Sequence, residues 1–376
     1  MTGVAVLGAG GIIARAIVRD LADSPEVDRL LLLDIDGERA AQVAAEHGGG
    51  RARAVGVDAR NGFATALAGC GVLVNAASYR VNLVAMEAAL AAGCDYLDLG
   101  GLYWMTARQL ELHDRFAAAG RLAVLGMGSS PGKTNVMAVY GARILGLRHG
   151  LGAGHGGVRE LGGEPVREIN VAAAGRDPEP TDLLRTPYAL QTLVDELSMN
   201  PVVLDGGKPR ELAPMAPGGL VRFPEPIGEV MTIHTLHSEL QTFGTSFGVQ
   251  RASFRLALAP ELLRRLEALR DAAAREVAAA QAAAAPPSAR AVSAHVVEVL
   301  AAGGRRVRVS ALTQPMEDWG MGGGIVSTAA PAAALVRLLA RGRIAATGVH
   351  PPETCVDPDD LFPELERRGC RFEVTA

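Results

Sequence analysis

Apolar residues open the chain in short uninterrupted runs. Val4–Leu7 ends in Gly8-Ala9-Gly10-Gly11, a helical pattern follows from Ile12 to Ala22, and a second run, Leu30–Leu33, closes on Asp34. Short apolar runs bounded by turn residues predict buried strands, and the 3.6-residue repeat between them predicts a helix. The alternation continues with helix Gly37–His47, strand Ala52–Val57, helix Phe63–Ala68, strand Val72–Val74, helix Leu83–Ala92, strand Tyr96–Leu99, helix Thr106–Ala119 and strand Leu122–Leu125. Such alternation predicts an α/β fold whose first domain, residues 1–130, is a Rossmann-type doubly wound parallel sheet.

Beyond a helix at Thr134–Leu145 the pattern loosens into Pro- and Gly-rich sequence, with strands expected at Val166–Ala174, Val202–Leu204, Glu229–Leu236 and Ala252–Ala257. Helices are expected at Tyr188–Ser198 and Leu262–Ala283, and a hairpin at His295–Leu300 and Val307–Leu312. Residues 131–325 therefore predict an α+β domain suited to substrate binding and dimerisation. Residues 326–376 predict helices packing back on the first domain, beginning with Ser327–Leu339, where Pro331 is expected in the first turn.

Composition narrows the function. Acidic and basic residues nearly balance, 41 against 37, with a formal charge of −4, which offers no footprint for nucleic acid or anionic membrane. A small polar ligand fits better. Cys70, Cys94, Cys355 and Cys370 have neither disulfide nor metal-ligand spacing, so no metal site is expected and reduced thiols in the cytoplasm are. No signal peptide or membrane-spanning run is read.

A strand-to-helix turn that brings backbone N–H groups to a pyrophosphate needs glycine, and Gly8, Gly10 and Gly11 supply it before Ile12. Ile13 stands where G-x-G-x-x-G has its third glycine, with Ala14 as the small residue beside it. Asp34, ending the second strand, is placed to accept from ribose hydroxyls and to repel a 2′-phosphate, so NAD is expected over NADP. Arg39 is the one nearby residue that favours NADP. Asp58 ends the third strand, where it meets an adenine edge or caps the next segment. Ala76, Ala77 and Ser78 follow the fourth strand and Gly100 the fifth, where small residues let the chain pass under a cofactor.

Four segments in this order, Gly8-Ala9-Gly10-Gly11, Val74-Asn75-Ala76-Ala77, Tyr96-Leu97-Asp98-Leu99-Gly100-Gly101 and Gly128-Ser129-Ser130-Pro131-Gly132-Lys133-Thr134-Asn135, resemble the saccharopine dehydrogenase-like family. His237-Ser238-Glu239-Leu240-Gln241-Thr242 and Gly348-Val349-His350-Pro351-Pro352-Glu353 extend the resemblance. Within the family the length and the D-x-D end of the second strand look most like lysine 6-dehydrogenase, though Ile13 and the Gly150–Gly163 region depart from it. The resemblance implies an NAD-linked dehydrogenase acting on CH–NH2 or CH–NH groups of an amino acid or amine, and a homodimer formed through the substrate-domain sheet. Two alternatives stay open: a reductive C–N bond-forming enzyme of the saccharopine or carboxynorspermidine type, and a cofactor-binding regulatory protein without chemistry.

Amine oxidation needs a proton acceptor and anchors for the rest of the substrate. Asp98, at the carboxyl end of the fifth strand, either holds an ammonium group or caps the Gly100-Gly101 turn. His237 and Glu239 share one face if their segment is extended and suit a proton relay; Thr242 belongs to the same motif. Arg80, Arg176 and Arg222 are candidates for a substrate carboxylate. Tyr79, Tyr103 and Tyr188 stand out in a chain with few aromatics and read first as core or packing, with Tyr103 kept as a substrate-side candidate. Lys133, after Pro131-Gly132, either supports phosphate or substrate binding or stands exposed; Asn135 caps or positions that turn; His155 reads as a loop residue or as part of a mobile lid.

Overall fold

The computed structural model describes residues 2–147, 164–179, 186, 188–268, 274–278, 282 and 288–376. His155, the Gly150–Gly163 region and the Pro286-Pro287 linker lie outside them. The chain divides into two compact units, one built on the chain up to Val139 together with Thr328–Leu365, the other on Leu161–Ser327 with the stretch from Tyr140 and Glu366–Ala376.

The first unit holds β1 (Thr2–Leu7), β2 (Val27–Asp34), β3 (Ala52–Gly56), β4 (Val72–Asn75), β5 (Asp95–Asp98) and β6 (Leu122–Val124), with β15 (Gly348–His350) added from the far end of the chain. Their order is β15-β6-β5-β4-β1-β2-β3, all parallel. The order reverses between β1 and β4, the crevice where doubly wound sheets bind ligands. Helices α1 (Ile12–Ala22) and α2 (Gly37–His47) span the predicted residues. The side chain of Asp36 caps α2 by accepting from the Arg39 N–H at 3.0 Å. The core joins Leu7, Leu33, Leu73, Tyr96, Phe116 and Val349.

Two expected helices differ. Residues 63–68 form one 3-10 turn, Ala64–Leu67, in which only Leu67 is buried, too small an apolar face for a full helix. The single helix expected at Thr106–Ala119 is two, α4 (Leu102–Leu110) and α5 (His113–Ala118). α3 (Asn82–Ala92) precedes them and α6 (Lys133–Ile144) follows β6.

The second unit is a mixed sheet of β7 (Val166–Arg176), β8 (Val202–Asp205), β9 (Lys208–Glu211), β10 (Pro217–Arg222), β11 (Glu229–His234), β12 (Arg251–Ala257), β13 (Val292–Ala301), β14 (Arg306–Thr313) and β16 (Cys370–Thr375). The path runs β10-β11-β12-β7-β13-β14-β16, with β8 and β9 branching from β12. β12 and β7 run parallel, and β13 and β14 form the expected hairpin. α6 reaches this sheet through Gly141, where a Cβ would fall 2.9 Å from Val299 Cγ2. α7 (Leu190–Ser198), α8 (Glu239–Phe247) and α9 (Pro260–Glu267) complete the unit.

The last segment corrects two expectations. α10 (Gly323–Ala340) begins earlier than expected, where the Gly323 N–H donates to the Ala291 carbonyl at 2.6 Å, so Pro331 lies inside the helix rather than in its first turn. α10 is long and apolar enough to cross a bilayer, yet most of it is buried within the protein. α11 (Pro352–Cys355) and most of α12 (Pro358–Glu366) belong to the first unit, but residues 326–376 do not return to it as a whole. β16 pairs with β14 over six residues, because edge β14 offers an unpaired ladder that the terminal strand fills.

Candidate functional site

At the carboxyl edge of β1 the chain turns through Gly8 at φ 76°. A Cβ there would lie 2.7 Å from the backbone N and Cα of Ala77, so no side chain fits. Gly8 and Ala9 donate to the Leu33 carbonyl at 2.8 and 3.1 Å, and Gly11 sits at the N-cap of α1 with no side chain blocking the first turn. Ile12 is half-buried; Ile13 is buried, filling the position a third glycine would leave open. This bare helix start presents backbone N–H groups of the kind that bind a pyrophosphate.

Asp34 closes the turn. Its Oδ2 accepts the Gly10 N–H at 2.8 Å and its Oδ1 the Asp36 N–H at 2.9 Å. Arg39 runs alongside, since a Cβ on Gly10 would meet its Cδ at 3.0 Å. Asp58 takes the capping alternative, accepting the Arg60 N–H at 3.0 Å and both prongs of the Arg60 guanidinium.

Asp98 is corrected from a substrate-facing acid to a buried junction. It is 1% exposed, and its two oxygens accept from Gly100 N, Gly126 N, Tyr96 OH, Gln109 Nε2 and Asn82 Nδ2 at 2.6–3.1 Å. Burial pushes its carboxyl up and these donors pull it back. With its hydrogen-bonding capacity filled from inside the protein, it has no room for an ammonium group. Its network continues outward. Asn75 donates to Asn82 and Tyr96 and accepts from the Ala77 N–H at 3.1 Å, so Asp98 is linked through Asn75 to the Ala76-Ala77 backbone that abuts Gly8. Asn75, Asn82 and Gln109 are not candidates from sequence. The one local signal is a polar residue closing the apolar strand β4.

Ser78 caps a short turn that exposes Arg80, whose guanidinium lies over the Tyr79 ring at 4.8 Å. Tyr103 is buried at the start of α4, edge-on to the exposed Trp104, and the preceding Leu102 adopts φ 55°. Gly100 is at φ 124°, so the turn after β5 depends on its missing Cβ. Lys133 is buried rather than exposed, and Asn135 positions the turn as expected, its Oδ1 accepting the Gly132 N–H at 2.8 Å while its Nδ2 donates to the buried Glu353 at 2.7 Å.

In the second unit His237 and Glu239 come together for a reason other than strand alternation. β11 ends at His234; His237 lies in the connection and Glu239 is the first residue of α8. Nδ1 of His237 is 2.8 Å from Glu239 Oε2, both side chains are buried, and the imidazole stacks on Phe254 with centroids 3.4 Å apart. Burial opposes the charged imidazole, but Glu239, and behind it Glu196, raise it above its ordinary value. Thr242 stays with the group, its hydroxyl donating to the Glu239 carbonyl at 3.2 Å. Arg176 and Arg222 do not join it: both are exposed at strand ends, and Arg176 donates to the Pro226 carbonyl. Glu196 and Tyr188 are the members that sequence alone does not bring in.

Residues 4–124 match the family model described as the saccharopine dehydrogenase NADP binding domain. The first unit is thus a nicotinamide-dinucleotide-binding domain. A curated relative, carboxyaminopropylagmatine dehydrogenase of Synechocystis sp., is 30% identical over 150 residues, 37% of this chain and 37% of that one. The chain therefore matches little more than a third of that relative. Among solved structures, the chain resembles apo saccharopine dehydrogenase (L-Glu forming) from Saccharomyces cerevisiae, with TM-score 0.70, 13% identity and full coverage of both chains. It also resembles the homospermidine synthase of Legionella pneumophila in complex with NAD, with TM-score 0.72, 13% identity, and 100% and 91% coverage. The chain has the saccharopine dehydrogenase fold.

Proposed function

We propose that the chain is a nicotinamide-dependent oxidoreductase that interconverts an amine and its imine, its substrate being the side-chain amine of L-lysine or a related amino acid. The observation that carries the reading is the buried His237–Glu239 pair. A carboxylate on Nδ1 fixes the tautomer and leaves Nε2 to exchange a proton. Gly8, Gly10 and Gly11 would hold a pyrophosphate and Asp34 the ribose hydroxyls, which supports NAD; Arg39 is the feature that would admit NADP, the cofactor in the family's description. The bound nicotinamide would supply the hydride acceptor. Nε2 of neutral His237 takes one proton from the substrate ammonium, leaving a nitrogen lone pair. As the carbon gives up its hydride, that pair would become the second C–N bond, so the product is the protonated imine, and the one proton taken by His237 passes on to solvent.

A second reading has one observation in its favour. Glu239 and Glu196 shift His237 towards its protonated form, which suits donation to an imine and so the reductive, C–N bond-forming direction. The relatives named for carboxyaminopropylagmatine and homospermidine chemistry support it as well.

Absorbance at the reduced-nicotinamide band tests both, with NAD or NADP offered to L-lysine, ornithine, saccharopine and other amines, and the reduced cofactors offered to aldehyde–amine pairs. NAD reduction by lysine supports the first reading. Consumption of reduced cofactor only with an aldehyde and an amine together supports the second. Cofactor binding with no turnover across the panel would leave a binding protein without chemistry. A homodimer through the second-unit sheet is part of the proposal, and sedimentation of the purified chain tests it.

A further inference from the structure

α7 carries Leu190, Leu193, Val194 and Leu197 inward, and Glu196 is buried on the same helix at 4% exposed. A buried carboxylate costs several kcal/mol unless it is paired or keeps its proton. The hydrogen-bond partner of Glu196 among the described residues is no cation but the hydroxyl of Tyr188, two residues before the helix. Burial pushes the Glu196 carboxyl up to about 7; the charge on His237 and the Tyr188 hydroxyl oppose this, while Glu239 and Asp195 add to it. His237 and Glu196 thus act on each other, and His237 is hydrogen-bonded to Glu239 on its other side.

The surroundings of the imidazole define the cluster. α8 contributes Glu239, α7 contributes Glu196 and Asp195, and β12 contributes the uncharged ring of Phe254. His234, whose Nδ1 meets the Phe254 carbonyl at 3.2 Å, is pushed towards its neutral form by burial. The hydroxyls of Thr235 and Ser238, which flank His237 in the chain, are buried with no hydrogen-bond partner among the described residues. Buried hydroxyls are rarely left so, and these suit the polar atoms of a ligand.

We propose that Tyr188 and Glu196 are positioning residues that set the proton state of His237, so that the buried cluster of His237, Glu239 and Glu196 shares a proton it can exchange with a ligand. The amine–imine reading gives this its purpose: the shared proton is the one an imine nitrogen takes, or the one an ammonium group gives up. Tyr188 keeps Glu196 ionisable, and Glu196 in turn makes His237 a better proton holder than Glu239 alone would.

The test is a proton titration of the full chain labelled with carbon-13 histidine, followed by NMR, with the His237 signal assigned by its loss in His237→Asn. Glu196→Gln, which keeps shape and removes charge, is expected to lower the His237 midpoint by about half to one pH unit. Glu196→Asp should restore most of the shift. Tyr188→Phe should move the midpoint the same way by less, because without the hydroxyl Glu196 stays neutral to higher pH. A merely structural Glu196 would leave the midpoint alone, so an unchanged midpoint in a cooperatively unfolding Glu196→Gln protein overturns the proposal. If that variant does not fold, an unchanged midpoint in Tyr188→Phe overturns it equally. The shift seen without turnover of any amine supports the proton-sharing pair while overturning the amine reading.

Discussion

The backbone N–H of Gly10 donates to the carboxylate of Asp34 at 2.8 Å, so one acid both braces the glycine turn and presents its remaining lone pairs to whatever lies against it. Removing the acid therefore has two consequences. Asp34→Ala should weaken NADH binding by about 10- to 100-fold, as two charge-assisted hydroxyl contacts and a turn brace are lost. NADPH should lose less, because repulsion of its 2′-phosphate disappears at the same time. Fluorescence titration of both cofactors checks this, and equal losses would mean that the acid braces the loop without reading the ribose.

Gly8 tests the loop from the other side. Gly8→Ala puts a Cβ at φ 76° and 2.7 Å from Ala77, a contact made to backbone that cannot swing away. Thermal unfolding should show a loss of about 1–3 kcal/mol, and NADH affinity should fall at least about tenfold with the displaced loop. Gly62, at φ 79° with open space around it, is the control; the same change there should cost about 1 kcal/mol and leave cofactor affinity alone.

Local periodicity made much of this architecture legible. α1 and α2 end on the predicted residues because strands, caps and turn residues all lie within a few positions of one another. Pro331 and β16 were not legible, since the start of α10 depends on a carbonyl at Ala291 and β16 depends on the free edge of β14. The site divides the same way. Gly8, Gly10 and Asp34 form a local grammar of strand, turn and acid. Glu196 lies 41 positions before His237, in an ordinary-looking amphipathic helix, and only tertiary packing brings their charges together. For Asp98 the type and place of the residue were suggestive, but its five internal donors could not be counted from sequence.

Asp98→Asn and His237→Asn should separate structure from chemistry. The first aims an amide NH2 at some of the donors that Asp98 now accepts from, so about 2–4 kcal/mol of stability should be lost. Cofactor affinity should follow, because the network ends on Ala77 beside Gly8. His237→Asn should retain cofactor affinity and lose turnover. Unfolding midpoints and NADH titrations on the same samples distinguish the two. A stable Asp98→Asn protein with normal NADH binding and no turnover would reinstate a catalytic acid.

Arg337 is 2% exposed in α10 and donates to Glu364 and Asp20 at 2.8 and 2.9 Å and to Ser24 at 3.1 Å. Glu364 also receives Arg341. Arg337→Met keeps the volume and leaves Asp20 and Glu364 buried without their shared cation, a loss of about 3–5 kcal/mol. The triple change with Asp20→Asn and Glu364→Gln should recover part of it, as measured by denaturant unfolding. A single variant as stable as the parent would mean that solvent reaches this network.

The coupled pair in the second unit also predicts how stability depends on pH. Glu196 binds its proton more tightly folded than unfolded, with its value moved from 4.5 to about 7, so folding is favoured below 4.5 and that contribution is lost as pH rises through 7. His237 is shifted upward too, so its contribution is full below the unfolded value of 6.5 and is lost as pH climbs through the folded one. In both cases the native state holds more protons than the unfolded state, and the two slopes have the same sign. Chemical unfolding should therefore show stability falling by on the order of a few kcal/mol between pH 5 and 8. Glu196→Gln removes its own titration and weakens that of His237, so its profile should be flatter over the same window. Parallel profiles for parent and variant would show that Glu196 carries no shifted proton in the folded state.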